Sequence, residues 1–257
     1  MTSQPLNKLP QITLSFWVMK ICATTLGETA GDLLSMTLHV GYAVSSIVLL
    51  SFFFVALTIQ LLTKKYRPVI YWAVILATST AGTTMSDYMD RTLALGYATG
   101  SLVLVGLLAA TLGLWKSAEK SLSVTNIRSF RGELFYWTAI LFSNTLGTAL
   151  GDFLADSSGL GFSGGAFLIG GLILLTILAY KATNISHVIL FWVAFVLTRP
   201  FGATFGDLLT KPLSKGGLDF GTAGSSLVLF GILTALILVT LFKMQREEKS
   251  RYTRNPT

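Results

Sequence analysis

Four tryptophans in this chain are each followed, 15 residues later, by an aspartate: Trp17 and Asp32, Trp72 and Asp87, Trp137 and Asp152, Trp192 and Asp207. A chain that repeats itself in this way folds as copies of one supersecondary unit, so the repeat constrains the fold before any local propensity does. Before each aspartate runs a shared pattern. It reads Thr25-Leu26-Gly27-Glu28-Thr29-Ala30-Gly31-Asp32 in the first copy and Thr80-Ala81-Gly82-Thr83-Thr84-Met85-Ser86-Asp87 in the second. The third reads Thr145-Leu146-Gly147-Thr148-Ala149-Leu150-Gly151-Asp152 and the fourth Pro200-Phe201-Gly202-Ala203-Thr204-Phe205-Gly206-Asp207. The aspartates are 55, 65 and 55 residues apart, a spacing that suggests a pair of units itself duplicated.

Each unit is long enough for two helices, and its second half opens on Gly41-Tyr42, Gly96-Tyr97, Gly161-Phe162 or, after a three-residue insertion, Asp219-Phe220-Gly221. Composition decides where such hairpins live. With 52% hydrophobic and 12% charged residues and a mean hydropathy of +0.67, the chain is far too apolar for a soluble fold. Stretches near the ~20 residues that cross a bilayer fall at about Ile12–Leu34, Gly41–Leu62, Ile70–Met89, Leu95–Trp115, Leu134–Leu154, Phe162–Ala179, Val188–Leu209 and Thr222–Phe242. The expectation is an all-α integral membrane protein in one domain over residues 1–257. It has eight transmembrane helices arranged as four parallel αα-hairpin repeats, at about 16–65, 71–116, 136–181 and 191–243. The lead Met1-Thr2-Ser3-Gln4-Pro5 shows no cleavage site, and the lone Cys22 forms no internal disulfide.

Charge gives orientation. Lys8, Lys64, Lys65, Arg67, Lys116, Lys120, Arg128, Arg131, Lys181, Lys243, Arg246, Lys249, Arg251 and Arg254 fall on the side of the termini, against Arg91, Lys211 and Lys215 on the other. Fourteen against three places both termini in the cytoplasm, and the expected location is a bacterial inner membrane. Topology thus accounts for the net charge of +7, so nucleic acid is not an expected partner. The tryptophans are expected at the cytoplasmic interface.

Tandem two-helix units with a Gly-Asp near the end of the first helix resemble a bacterial multi-pass repeat family of uncharacterised "membrane-anchored" proteins. The likeness runs from about Trp17 to Phe242. It implies the four-repeat architecture and no particular activity. Ser86 and Pro200 depart from the pattern.

Gly27 and Gly31, Gly82 and Ser86, Gly147 and Gly151, and Gly202 and Gly206 are small pairs at i, i+4, which make a flat helix face for close packing. Each aspartate borders that seam and should face the bundle interior. An intramembrane carboxylate costs several kcal/mol unless paired, protonated, hydrated or bound to a cation. The plain reading is that each acid caps its loop or donates, protonated, to a neighbour. The alternative is a shared cation site of Asp32, Asp87, Asp152 and Asp207 with Glu28, since oxygen-rich clusters suit Mg²⁺, Ca²⁺ or Mn²⁺. Met36, Met85, Met89 and His39 flank it as softer candidates.

Two cations fall within spans, Lys20 and Arg199. Arg199, eight residues before Asp207, is a candidate counter-ion: it pairs with another repeat's acid, tethers a charge near a titrating carboxylate, or snorkels. The leading expectation is a small transporter or exchanger of inorganic divalent cations, with protons as candidate counter-substrate. The alternative is a non-catalytic membrane scaffold or regulator. No enzyme and no resident cofactor are expected: an intramembrane aspartyl protease needs two unlike acids, and no Gly-x-Gly-Asp, phosphate loop or zinc pattern occurs.

Overall fold

The computed structural model describes residues 8–124, 127 and 129–254. The lead Met1 to Pro5 and Arg128 lie outside these residues. Eight helices follow one another: α1 (Leu14–Asp32), α2 (Tyr42–Leu62), α3 (Pro68–Asp87), α4 (Tyr97–Glu119), α5 (Phe130–Asp152), α6 (Gly161–Ala182), α7 (His187–Thr210) and α8 (Thr222–Arg254). Among the described residues there is no strand.

Local chemistry sets several boundaries. Pro68 starts α3, where its missing N–H is not needed. Ser129 caps α5 by accepting from Gly132 N at 2.8 Å. After Asp32, Asp87 and Asp152 the chain makes one π-helical turn, over Leu33–Thr37, Tyr88–Thr92 and Phe153–Ser157. It then enters the second helix through a positive-φ glycine, at Gly41 (φ 81°), Gly96 (φ 74°) or Gly161 (φ 66°), a conformation a side chain would strain. Repeat four replaces the π turn with its insertion, a short 3₁₀ turn at Leu213–Lys215.

The first helices of the four units form the centre. They pack in the cyclic order α1, α3, α5, α7 and back to α1. Each second helix covers the first helix of the next unit: α2 on α3, α4 on α5, α6 on α7 and α8 on α1. The small residues make this ring possible. A Cβ added to Gly27, Gly82, Gly147 or Gly202 would lie 2.8–3.0 Å from the carbonyl carbon of Ser79, Asn144, Arg199 or Thr24 respectively. Those partners are all the residue eight before the aspartate in the following repeat, so four equivalent contacts close the ring and fix the central helices as parallel. Gly31, Gly151 and Gly206 meet Thr83, Ala203 and Glu28 in the same manner one turn on.

Polarity divides the two layers. Of the eight helices, five are long and apolar enough to cross a membrane, namely α2, α4, α6, α7 and α8. Helices α1, α3 and α5 fall short because their inward faces carry Thr24, Glu28, Thr83, Asn144, Thr148 and the aspartates, all buried. Outward faces are apolar, with Phe52, Phe54, Leu102, Phe167, Leu227 and Phe230 exposed on the covering helices. Such a surface is that of a membrane protein.

At the end opposite the aspartates, Trp72, Trp137 and Trp192 are buried and pack edge-on with Tyr71 and Tyr136, whose hydroxyls lie 2.7 Å apart. These three tryptophans therefore point into the bundle. Helix α7 contains Pro200 in mid-helix, where the other units have Thr25, Thr80 and Thr145. Those threonine hydroxyls bond the carbonyls of Ile21, Leu76 and Leu141, four residues back. Proline and back-bonding threonine both loosen the helix at the same level, which explains how they occupy equivalent places.

Candidate functional site

Residues spaced four apart on the inward face of each central helix stack into layers along the axis. Starting from the tryptophan end, the layers are Lys20 with Ile75, Ile140 and Phe195; Thr24 with Ser79, Asn144 and Arg199; Glu28 with Thr83, Thr148 and Ala203; and the four aspartates. Fourfold sequence equivalence thus becomes a column of quasi-equivalent positions, and its departures from symmetry carry the charge.

Arg199 is fully buried at the centre. Its Nη1 donates to Glu28 Oε2 at 2.9 Å and to the Thr24 carbonyl at 3.3 Å. Its Nη2 donates to Thr83 Oγ1 at 2.5 Å, Thr148 Oγ1 at 2.6 Å and the Ser79 carbonyl at 3.2 Å. Both hydroxyls also lie 3.2 Å from Glu28 Oε2 as donors. One guanidinium from repeat four therefore ties together repeats one, two and three. Of the roles open to Arg199 from sequence, the structure has it pairing with another repeat's acid. Snorkelling is ruled out by its complete burial.

Lys20, also fully buried, has no carboxylate partner among the described residues: Nζ lies 3.3 Å from Asn144 Oδ1 and 4.1 Å over the Phe195 ring centroid. Asn144 passes the contact on by donating to Thr78 Oγ1 at 2.8 Å.

The four aspartates are buried at one level, 2–3% exposed. Two cations that sequence reading left in loops fold back onto them. Arg91 Nε lies 2.8 Å from Asp87 Oδ1 and its Nη2 3.0 Å from Asp152 Oδ2. Lys211 Nζ lies 2.6 Å from Asp32 Oδ2 and 3.0 Å from Asp207 Oδ1. Each cation bridges two adjacent repeats, two with three and four with one. The signal was present in the sequence: Arg91 and Lys211 stand four residues after Asp87 and Asp207, one helical turn on. Burial opposes the charge of Lys211, but Asp207 and Asp32 outweigh it and hold the ammonium above its ordinary range; Asp87 and Asp152 do the same for Arg91.

Not every ring oxygen is satisfied. Asp87 Oδ1 and Asp207 Oδ1 sit beside their cations without an aligned hydrogen bond. Carboxylate oxygens of Glu28, Asp32 and Asp207 lie within 4.8 Å of one another, close enough for one ion to touch all three. Asp87 and Asp152 gather instead around Arg91, so the five acids form two subgroups. Of the flanking residues, His39 is exposed with φ 54°, and Met36, Met85 and Met89 are partly buried beside the ring. Asp156 is exposed and accepts from Tyr97 Oη at 3.3 Å.

No curated protein and no solved structure matches the chain. A family model does, four times in tandem, over residues 15–66, 70–121, 135–186 and 190–246. Each match takes in one central helix and the covering helix that follows it. The chain belongs to the family described as Repeat of Unknown Function (DUF347).

Proposed function

We propose that the protein is a small carrier of inorganic divalent cations in a bacterial cytoplasmic membrane. All eight helices cross the bilayer, the termini are cytoplasmic and the aspartate end faces out. Helices α1, α3 and α5 cross despite their polarity because their inward faces pack against one another and α7 around the axis, with the covering helices outside them. The fourteen-to-three distribution of Lys and Arg supports the orientation.

The observation that carries this reading is the charge balance of the ion-paired cluster around Glu28 and the aspartates; Lys20, two layers below Glu28 against Asn144 and Phe195, lies outside it. Five buried carboxylates, Asp32, Asp87, Asp152, Asp207 and Glu28, face three cations, Arg91, Lys211 and Arg199. Fully ionised, the group is short of two positive charges. Uncompensated charge is costly at this depth, and one divalent ion or two protons supply what is missing. Exchange of one for the other leaves the cluster neutral throughout. Oxygen-only ligands favour Mn²⁺, Mg²⁺ or Ca²⁺ over softer metals.

A second reading has one specific observation in its favour. Every ring aspartate already touches a cation, so the acids serve equally as locks between helices in a non-catalytic scaffold. Proteoliposomes separate the two. Purified wild type should carry Mn²⁺ down its gradient, and Asp32→Asn and Asp152→Asn should abolish uptake while remaining folded and monodisperse. Uptake by both variants at the wild-type rate, or none by wild type for any of the three metals, leaves the scaffold reading.

A further inference from the structure

The two bridging cations occupy the places a carried ion would take. Lys211 Nζ touches Asp32 and Asp207, two of the three carboxylates that approach within 4.8 Å of one another. Arg91 holds the other two aspartates. Their side chains are 18% and 30% exposed, whereas those of the four acids are 2–4% exposed, so the cations form the solvent-facing lid of the ring. Repeats one and three have Met36 and Asp156 at the equivalent position and contribute none.

We propose that Lys211 is a tethered competitor for the carried cation: a divalent ion enters the Glu28, Asp32 and Asp207 group by displacing its ammonium into solution at the aspartate end. The inference rests on the carrier reading and deepens it by naming the residue that sets affinity and access. Three features support the exchange. Asp207 Oδ1, on a residue 3% exposed, has the ammonium nearby and receives no hydrogen bond, so the site is filled without being fully satisfied. The Lys211 backbone is pinned, its N–H bonded to the Asp207 carbonyl at 2.8 Å and its carbonyl accepting from Asp219 N at 3.0 Å. Only the flexible side chain has to move. A divalent ion also brings twice the charge of the ammonium it replaces, which favours it among clustered carboxylates. Arg91, planar and held by two aspartates through two different nitrogens, is the more firmly fixed of the pair.

The test uses the full chain in detergent with Mn²⁺ alone as probe. Calorimetric titration should show Lys211→Gln binding Mn²⁺ at least about tenfold more tightly than wild type, on the scale of an ordinary coupling between ligands. In wild type, Mn²⁺ should raise the rate at which an amine-acetylating reagent modifies Lys211, read by mass spectrometry. Exposed Lys215 serves as the internal control with an unchanged rate. Binding to wild type with no gain in Lys211→Gln and no change in Lys211 acetylation overturns the displacement and leaves the carrier reading standing. Absence of Mn²⁺, Mg²⁺ and Ca²⁺ binding in both proteins overturns the carrier reading itself. If Lys211→Gln fails to fold, the acetylation of wild type decides alone.

Discussion

Replacing Arg199 by methionine should be among the most damaging single changes in the protein, and the loss should be recovered by a second change at Glu28. Arg199 is the only cation in contact with the Glu28 carboxylate among the described residues, at 2.9 Å with both side chains 0–3% exposed. Methionine keeps the unbranched stem that packs against Gly147 and removes the charge and every donor. What remains is a buried carboxylate held by two threonine hydroxyls, and breaking a buried pair on one side costs about 3–5 kcal/mol. For a chain of this size that corresponds to a fall in melting temperature of roughly 6–20 °C. Glu28→Gln in the Arg199→Met background removes the stranded charge while keeping shape, so most of the loss should return, with a coupling of at least about 2 kcal/mol. Equilibrium unfolding of the four proteins in mixed detergent micelles measures all the terms of the cycle. Arg199→Met within about 1 kcal/mol of wild type, or a double variant no more stable than Arg199→Met, would show that the central pair is not what holds the four repeats together.

The glycines divide into two groups with opposite expected responses. Gly147→Leu must push Arg199 aside and should sharply lower the yield of monodisperse protein, whereas Gly106→Ala on α4, with nothing within 4 Å, should be neutral or stabilising by up to about 1 kcal/mol. Equal behaviour of the two in size-exclusion profiles would refute the seam. Orientation is checked with single cysteines in a Cys22→Ser background: Lys65→Cys should resist an impermeant maleimide in intact cells and Leu218→Cys should react. The reverse pattern inverts the topology.

The repeat, the all-helical class and the common level of the four aspartates were legible in the sequence because they follow from periodicity alone. Equal spacing from Trp17, Trp72, Trp137 and Trp192 puts equivalent residues at equal depth whatever the neighbours are. Small pairs at i, i+4 likewise mark a face before its partner is known. What covers that face was decided only in three dimensions. That each glycine meets the residue eight before the next aspartate, and that the fourth repeat closes on the first, depends on four helices packing at once. The inward turn of the tryptophans follows from the same packing. Long cationic side chains were the least legible part. Arg91 and Lys211 lie in loops by sequence, and only the folded chain brings the second carboxylate of each bridge, 61 and 179 residues away, within reach. Arg199 has no acid one turn away on its own helix, so its partner had to come from another repeat; which one depends on the ring order. A flexible side chain takes its conformation from the charges that tertiary structure assembles around it, and that information is not local.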